Sequence, residues 1–117
     1  MDKTLQGSVE LTFNDGIATI EFFHPAQNSM PGRLLSSLVQ AFQTAGESRE
    51  AEVVVLQSAG DRSFCAGASF DELAAIRDAE TGKNFFLGFA NVINAMRKCP
   101  KIVIARVQGK AVGGGVG

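Results

Sequence analysis

The sequence predicts an α/β fold, in which buried strands alternate with amphipathic helices along the chain. Two β-branched apolar runs, at 53–56 and 102–105, have the composition of buried strands. Between these runs, apolar residues recur at helical spacing from 83 to 98. At 117 residues the chain has the length of one domain, and it can bury a core without disulfides.

The chain begins with a predicted β-hairpin. Residues 9–13 and 17–22 alternate between apolar and polar side chains, as a half-buried strand does. The turn sequence Asn14-Asp15-Gly16 separates the two runs. Two antiparallel strands joined by a tight turn are therefore expected.

A helix is predicted after the irregular segment 23–28. Ser29 has a side chain suited to capping this helix, and Pro31 is tolerated in a first helical turn. Gly46 marks its expected end. The apolar residues that share one predicted helical face are Leu34, Leu35, Leu38, Val39 and Phe42.

The rest of the chain predicts a strand, two helices and two further strands. The strand at 52–57 is rich in valine, so we expect it to be buried on both faces. Pro100 ends the second helix. The other elements, in order, are a loop at 58–61, helices at 70–78 and 83–98, and strands at 102–107 and 110–112.

Composition and charge argue against several classes of function. The formal net charge is -1, and the 11 basic and 12 acidic residues are scattered, so we expect no nucleic-acid partner. No apolar run is long enough to span a bilayer, and the polar start lacks the apolar segment of a signal peptide. We therefore expect a cytoplasmic protein without a membrane partner.

The cysteines and the single histidine predict no metal site. Cys65 and Cys99 are far apart in sequence, and His24 is the only histidine. Cys65 has apolar neighbours and no nearby base in the sequence. We therefore expect its thiol to fill space in the core instead of acting as a nucleophile.

Two glycine-containing segments, 64–68 and 113–117, are the candidates for chemistry. Gly67 permits close approach of another group, and the small Ala68 leaves its own N–H uncovered near the start of a predicted helix. The second segment offers bare amides at Gly114, directly after a strand. Two converging amides suit a carbonyl oxygen that gains negative charge. Glycine triplets also serve simply to let backbone segments pack closely.

These motifs are similar to those of the crotonase family, the enoyl-CoA hydratase/isomerase superfamily. Residues 61–73 resemble its first signature, residues 109–117 resemble its second, and residues 17–28 are similar to its first CoA-contacting segment. The resemblance covers residues 1–117 as the N-terminal portion of a crotonase-like domain. It implies a spiral of ββα units, incomplete at the C-terminus, and assembly as a homotrimer or hexamer.

The resemblance also implies roles for individual residues. The N–H groups of Ala68 and Gly114 would form the oxyanion hole for the thioester of an acyl-CoA. The residues expected to contact that substrate are His24, Ala26, Ala66, Gly67 and Phe70. Coenzyme A is part of the substrate, so no separate cofactor is expected.

The chain departs from the family pattern at its candidate acids. Ser69 stands where an aspartate is frequent, and Gly117 stands where two-glutamate hydratases carry a catalytic acid. A second family acid would fall beyond residue 117. Asp71 and Glu72 lie near the site, but carboxylates in a first helical turn more often satisfy the helix dipole.

The leading functional prediction is an acyl-CoA enzyme that hydrates an enoyl thioester or moves its double bond. The alternatives are a non-catalytic acyl-CoA-binding or assembly module, and a fragment that is inactive on its own. His24 lacks an orienting carboxylate nearby in the sequence, so we expect it to flank the CoA or support the backbone. Phe85, Phe86 and Phe89 are candidates for an acyl pocket, although core packing is the simpler role.

Overall fold

The computed structural model describes residues 7–117, and a four-stranded sheet lies at its centre. In chain order, the elements are β1 (Ser8–Asn14), β2 (Ile17–Phe23), β3 (Ser29–Met30), α1 (Gly32–Glu47), β4 (Val53–Ser58), β5 (Ser63–Cys65), β6 (Gly67–Ala68), α2 (Phe70–Ala74), α3 (Ala79–Lys98), β7 (Ile102–Ala105), β8 (Lys110–Ala111) and a 3₁₀ turn (Gly113–Gly115). The central sheet has the order β1-β2-β4-β7, and the pairs β3-β6 and β5-β8 form two smaller sheets.

The hairpin at the start of the chain is confirmed. β1 and β2 pair antiparallel, with Asn14 opposite Ile17 next to the turn. Asp15 and Gly16 both have a positive φ, at 50° and 80°, as a type I′ turn requires. The twist of this turn matches that of the two strands it joins.

β2, β4 and β7 run parallel, so long connections must carry the chain back across the sheet. α1 lies in the connection from β2 to β4, and α2 and α3 lie in the connection from β4 to β7. This alternation of parallel strands with helices confirms the α/β prediction.

α1 and the sheet share one hydrophobic core. The residues that α1 buries form a continuous stripe: Leu34, Leu35, Leu38, Ala41, Phe42 and Ala45. Ile20 and Val54 of the sheet belong to the same cluster and are fully buried. Val53 and Val55 are only half-buried, so the prediction that this strand is buried on both faces is wrong for the described residues. Side chains alternate along a strand, and only one set reaches the cluster.

The start of α1 differs from the prediction, which placed the cap at Ser29. The helix begins at Gly32, and Pro31 in the N-cap position offers no side-chain acceptor. Ser29 lies instead in β3, where it pairs with Gly67. The cap comes from a distant residue, because the Gly32 N–H donates to both carboxylate oxygens of Glu72, at 3.1 and 2.8 Å. Tertiary structure thus satisfies a helix end that the local sequence leaves uncapped.

The end of α1 agrees with the prediction, since the helix stops at Glu47, next to Gly46. Lys101 binds its last carbonyl groups, with Nζ donating to the backbone oxygens of Ala45 and Ser48. A cation at this place also faces the negative end of the helix dipole.

α2 and α3 have bounds that differ from those predicted. α2 ends at Ala74 instead of 78, and α3 begins at Ala79 instead of 83. The reason is a capping box, in which Thr81 N–H donates to Asp78 Oδ1 at 2.8 Å and Asp78 N–H donates to Thr81 Oγ1 at 3.2 Å. Asp78 therefore starts a new helix.

In the part of the chain that the structure describes, no helix combines the length and hydropathy needed to cross a membrane.

Phe42→Ala is expected to lower the free energy of unfolding by about 3–5 kcal/mol, because the ring is 1 % exposed and its removal leaves a cavity. Phe86→Ala is the matched control, since Phe86 is 58 % exposed and stacks edge-to-face on Phe85. We expect that control to lose less than about 1.5 kcal/mol. Urea denaturation followed by circular dichroism measures both values, and equal losses would contradict the assignment of the core.

Candidate functional site

The two glycine-containing segments predicted to form the site lie against each other. β5 pairs parallel with β8. Just after β8, the Val112 N–H donates to Cys65 O, with 3.1 Å between the two atoms. The 3₁₀ turn follows directly and lies beside β6. Within the first segment, β5 and β6 follow each other, with Ala66 between them.

Backbone contact between the segments is so close that it excludes side chains. A Cβ added to Gly115 would lie 2.5 Å from Cys65 O, closer than real Cβ atoms come to other atoms. Gly67 has a φ of +88°, and a Cβ there would lie 3.0 Å from Val112 O and 3.1 Å from Gly114 N. Glycine at positions 67 and 115 is therefore a packing requirement of the site.

The two predicted oxyanion donors lie near each other. Because Gly114 N is 3.1 Å from the Cβ position of Gly67, standard backbone dimensions place Ala68 N within about 7 Å of Gly114 N. Among residues 7–117, no hydrogen-bond acceptor pairs with the Gly114 N–H. The Gly67 N–H, in contrast, contacts Cys65 Sγ at 3.4 Å.

α2 begins one residue after β6 and lies at the surface. Ser69 is its N-cap, and Ser69 Oγ accepts the Glu72 N–H at 3.4 Å, so serine fills the capping role at this position. No side chain of α2 is buried, and Phe70 is 83 % exposed. The prediction that Glu72 serves the dipole of its own helix is incomplete, because its carboxylate caps α1.

The turn after β2, which carries the predicted CoA-contacting residues, is held by its own hydrogen bonds. His24 Nδ1 accepts the Ala26 N–H at 3.0 Å, and Ser29 Oγ lies 3.5 Å from the same nitrogen. Burial lowers the pKa of the His24 imidazole below its usual 6.5, which favours the neutral ring. A neutral imidazole that accepts a backbone hydrogen bond supports the shape of this turn.

Asn28 is the site residue that the sequence prediction missed. It is 4 % exposed, and its φ of 59° lies in the left-handed region that asparagine tolerates better than most residues. Its Nδ2 donates to Ala59 O and Ser63 O at 2.9 and 2.8 Å, and its Oδ1 accepts the His24 N–H at 2.9 Å. Its backbone oxygen accepts the Ala66 N–H at 3.3 Å. Asn28 therefore joins the turn after β2 to the segments around β5.

Two cavities flank the site and separate the three candidate phenylalanines. A cleft of about 510 Å³ lies between α1, α2 and α3, and Phe85 and Glu72 are among its lining residues. Phe89 lines an apolar cavity of about 210 Å³ that Gly114 also borders. Phe86 lines neither of the two. Of the three rings, Phe89 is therefore the one beside a predicted oxyanion donor.

Cys65 is a core residue. It is 1 % exposed, and burial raises the pKa of its thiol, so the thiol stays protonated at neutral pH. Cys65 and Cys99 are both free. Among the described residues, no three His, Cys, Asp or Glu side chains are grouped closely enough to hold a metal ion.

A family model decides the identity of the fold. The model described as enoyl-CoA hydratase/isomerase matches residues 12–117. The chain belongs to this family. The predicted membership in the crotonase family is thereby confirmed, because the two signatures lie within the matched range.

Several relatives of this crotonase-family chain have names that contain a CoA compound. The (7aS)-7a-methyl-1,5-dioxo-2,3,5,6,7,7a-hexahydro-1H-indene-carboxyl-CoA hydrolase of Rhodococcus jostii is 32 % identical over 95 % of the chain and 43 % of its own length. The ethylmalonyl-CoA decarboxylase of Xenopus laevis is 27 % identical over 93 % of the chain and 37 % of its own length. The chain therefore spans less than half the length of these relatives.

A solved structure shows the shared fold. The crystal structure of an enoyl-CoA hydratase/carnithine racemase from Magnetospirillum magneticum matches with a TM-score of 0.85 and 32 % identity. The match covers 92 % of this chain and 41 % of the other. The predicted crotonase fold is confirmed for this portion of the domain.

Gly115→Ala is expected to destabilise the crotonase-family chain by about 1–3 kcal/mol, because the new Cβ would overlap Cys65 O. Gly82→Ala is the control, because Gly82 lies inside α3 and a Cβ there would meet only Ile76 Cγ2, at 3.4 Å. That control should stabilise the protein by up to about 1 kcal/mol through helix propensity. Urea unfolding gives both signs. A neutral Gly115→Ala variant would show that the segments are farther apart.

His24 is expected to titrate below 6.5 in the folded protein, because burial disfavours the imidazolium. Since the folded-state pKa is lowered, the stability that His24 contributes is present above pH 6.5 and is lost as the pH falls through the folded-state pKa. NMR of the ring and of the Ala26 amide follows the titration and the loss of the Nδ1 hydrogen bond together. A midpoint above 6.5 would contradict this environment for the ring.

Proposed function

We propose that the protein binds an acyl-CoA and stabilises negative charge on the thioester oxygen with the N–H groups of Ala68 and Gly114. The observation that carries this proposal is the contact of β6 with the 3₁₀ turn, where Gly114 N lies 3.1 Å from the Cβ position of Gly67. Family membership supports the substrate class. The names of the relatives, a carboxyl-CoA hydrolase and an ethylmalonyl-CoA decarboxylase, support it as well.

Two backbone donors suit this chemistry because the carbonyl oxygen of a thioester gains negative charge when an enolate forms. Hydration of an enoyl thioester and migration of its double bond both pass through such a charged oxygen. Each donor then binds the transition state more strongly than the ground state, and loss of one donor costs about 2.7–4 kcal/mol. Backbone groups held by a short strand and a 3₁₀ turn are already oriented when the charge develops.

We place the rest of the CoA between the turn after β2 and the segment around β6. His24 and Ala26 form one side of this path, and Ala66, Gly67 and Phe70 form the other. Phe70 suits a ligand contact because it is a large apolar side chain that is 83 % exposed. We assign the adenine amine to the Ala66 carbonyl.

A non-catalytic acyl-CoA-binding module is the second candidate function. It is favoured because two of the candidate acid and base side chains are already engaged in hydrogen bonds. Glu72 is engaged by Gly32, and His24 Nδ1 accepts a backbone hydrogen bond. Gly117 brings no side chain to the place of the family's first acid. Turnover of crotonyl-CoA separates the candidates: hydration or isomerisation supports the enzyme, and binding without turnover supports the module.

Replacing Ala68 by lactic acid exchanges its N–H for an ester oxygen and keeps the methyl group. We expect the turnover of crotonyl-CoA to fall about 10²–10³-fold, because one oxyanion donor is lost. The same exchange at Ala79, the first residue of α3, removes a helix-terminal N–H outside the site and should change turnover less than about twofold. Steady-state kinetics give both ratios, and equal losses in the two ester variants would reject the role of the Ala68 N–H.

Assembly and location stay predictions. We propose a homotrimer or hexamer on the strength of the family resemblance, and a cytoplasmic location on the strength of the sequence. Sedimentation equilibrium measures the first, and fractionation of the source cells measures the second.

A further inference from the structure

α2 is attached to the rest of the chain without a buried side chain of its own. None of its five residues is buried, and its two large apolar side chains, Phe70 and Leu73, are 83 % and 40 % exposed. Hydrophobic burial therefore holds this helix only in part, through Leu73. Polar contacts and the strand that precedes the helix also fix its position.

The Glu72 carboxylate provides the polar contact that reaches another element. Both of its oxygens accept the Gly32 N–H, at 3.1 and 2.8 Å. Gly32 is the first residue of α1, and Pro31 before it provides no capping side chain. A carboxylate there is a charge-assisted acceptor at the positive end of a 16-residue helix. The bond therefore stabilises both helices at their shared corner.

A second connection between the same two segments lies close by. β3 and β6 pair in parallel, with Met30 opposite Ala68. The chain continues from Met30 to Gly32, and from Ala68 to Glu72, before the carboxylate joins the two segments again. The segments 30–32 and 68–72 are thus joined at both ends, by the β3-β6 pair at one end and by the Glu72 hydrogen bond at the other. The peptide group at Ala68 lies at the first of these two connections.

We propose that Glu72 is a positioning residue, which holds the Ala68 N–H in the direction needed to bind the thioester oxygen. This inference rests on the proposed oxyanion function of Ala68. Glu72 is not assigned to proton transfer, because both oxygens of its carboxylate are engaged with Gly32. Its effect on the substrate passes through the backbone between residues 68 and 72.

Three variants isolate this role. Glu72→Ala removes the acceptor, and Glu72→Gln keeps one side-chain oxygen for the Gly32 N–H but loses the charge. Asp71→Asn is the matched control, since Asp71 is the adjacent, exposed carboxylate in the same turn of α2. It removes an equal charge without touching α1.

Hydrogen exchange at the Gly32 amide measures the bond without any ligand. We expect exchange in Glu72→Ala to be roughly 10- to 100-fold faster than in the wild type, because a hydrogen bond to a charged acceptor is lost. Glu72→Gln should fall between the two, and Asp71→Asn should match the wild type. Unchanged exchange in Glu72→Ala would overturn the proposal.

Infrared difference spectroscopy of bound [1-¹³C]butyryl-CoA measures the direction of the Ala68 N–H. The wild type and Asp71→Asn should shift the carbonyl stretch to lower frequency, and Glu72→Ala should lose most of that shift while still binding the thioester. Glu72→Gln should restore part of it, and this variant keeps the test decisive if Glu72→Ala fails to fold. An equal shift in all variants would overturn the role of Glu72 alone. No shift in the wild type would overturn the proposed oxyanion function itself.

Discussion

The contact between the backbones of Cys65 and Gly115 is the constraint on which the site depends. The two segments approach so closely that a Cβ on Gly115 would lie 2.5 Å from Cys65 O. Their polar groups tolerate this proximity because the Val112 N–H pairs with the Cys65 oxygen. The contact brings β6 and the 3₁₀ turn together, and these two elements carry Ala68 and Gly114. Side chains matter here chiefly by being small or absent.

The parallel sheet makes this contact possible, because β2, β4 and β7 end at one edge and the loops that follow them meet there. A network of hydrogen bonds joins these loops. Asn28 Nδ2 donates to the backbone oxygen of Ser63, a residue that follows β4. Gln108 lies in the segment after β7, and its Nε2 donates to Ser58 Oγ at 2.9 Å. The hydrophobic core beneath α1 therefore holds the strands, while the side-chain amides of Asn28 and Gln108 hold the loops in register. Glu72 extends the same polar support to α2.

The sequence was sufficient to predict the elements that depend on local patterns. The hairpin around Asp15 and the apolar stripe of α1 follow from alternation, turn residues and helical spacing. The family motifs also predicted that residues 64–68 and 113–117 meet. The cap of α1 by Glu72 and the bond of Asn28 to Ser63 O were not predictable in this way, because they join residues 40 and 35 positions apart. Two-residue strands such as β3 and β6 are too short to show any periodicity.

The central claim is that two backbone amides from separate segments bind one thioester oxygen. A crystal structure of the protein with butyryl-CoA, which has no double bond to hydrate, tests it most directly. The thioester oxygen is predicted to lie about 2.7–3.1 Å from both Ala68 N and Gly114 N. A thioester oxygen bound elsewhere, or in contact with only one of these nitrogens, would contradict the claim.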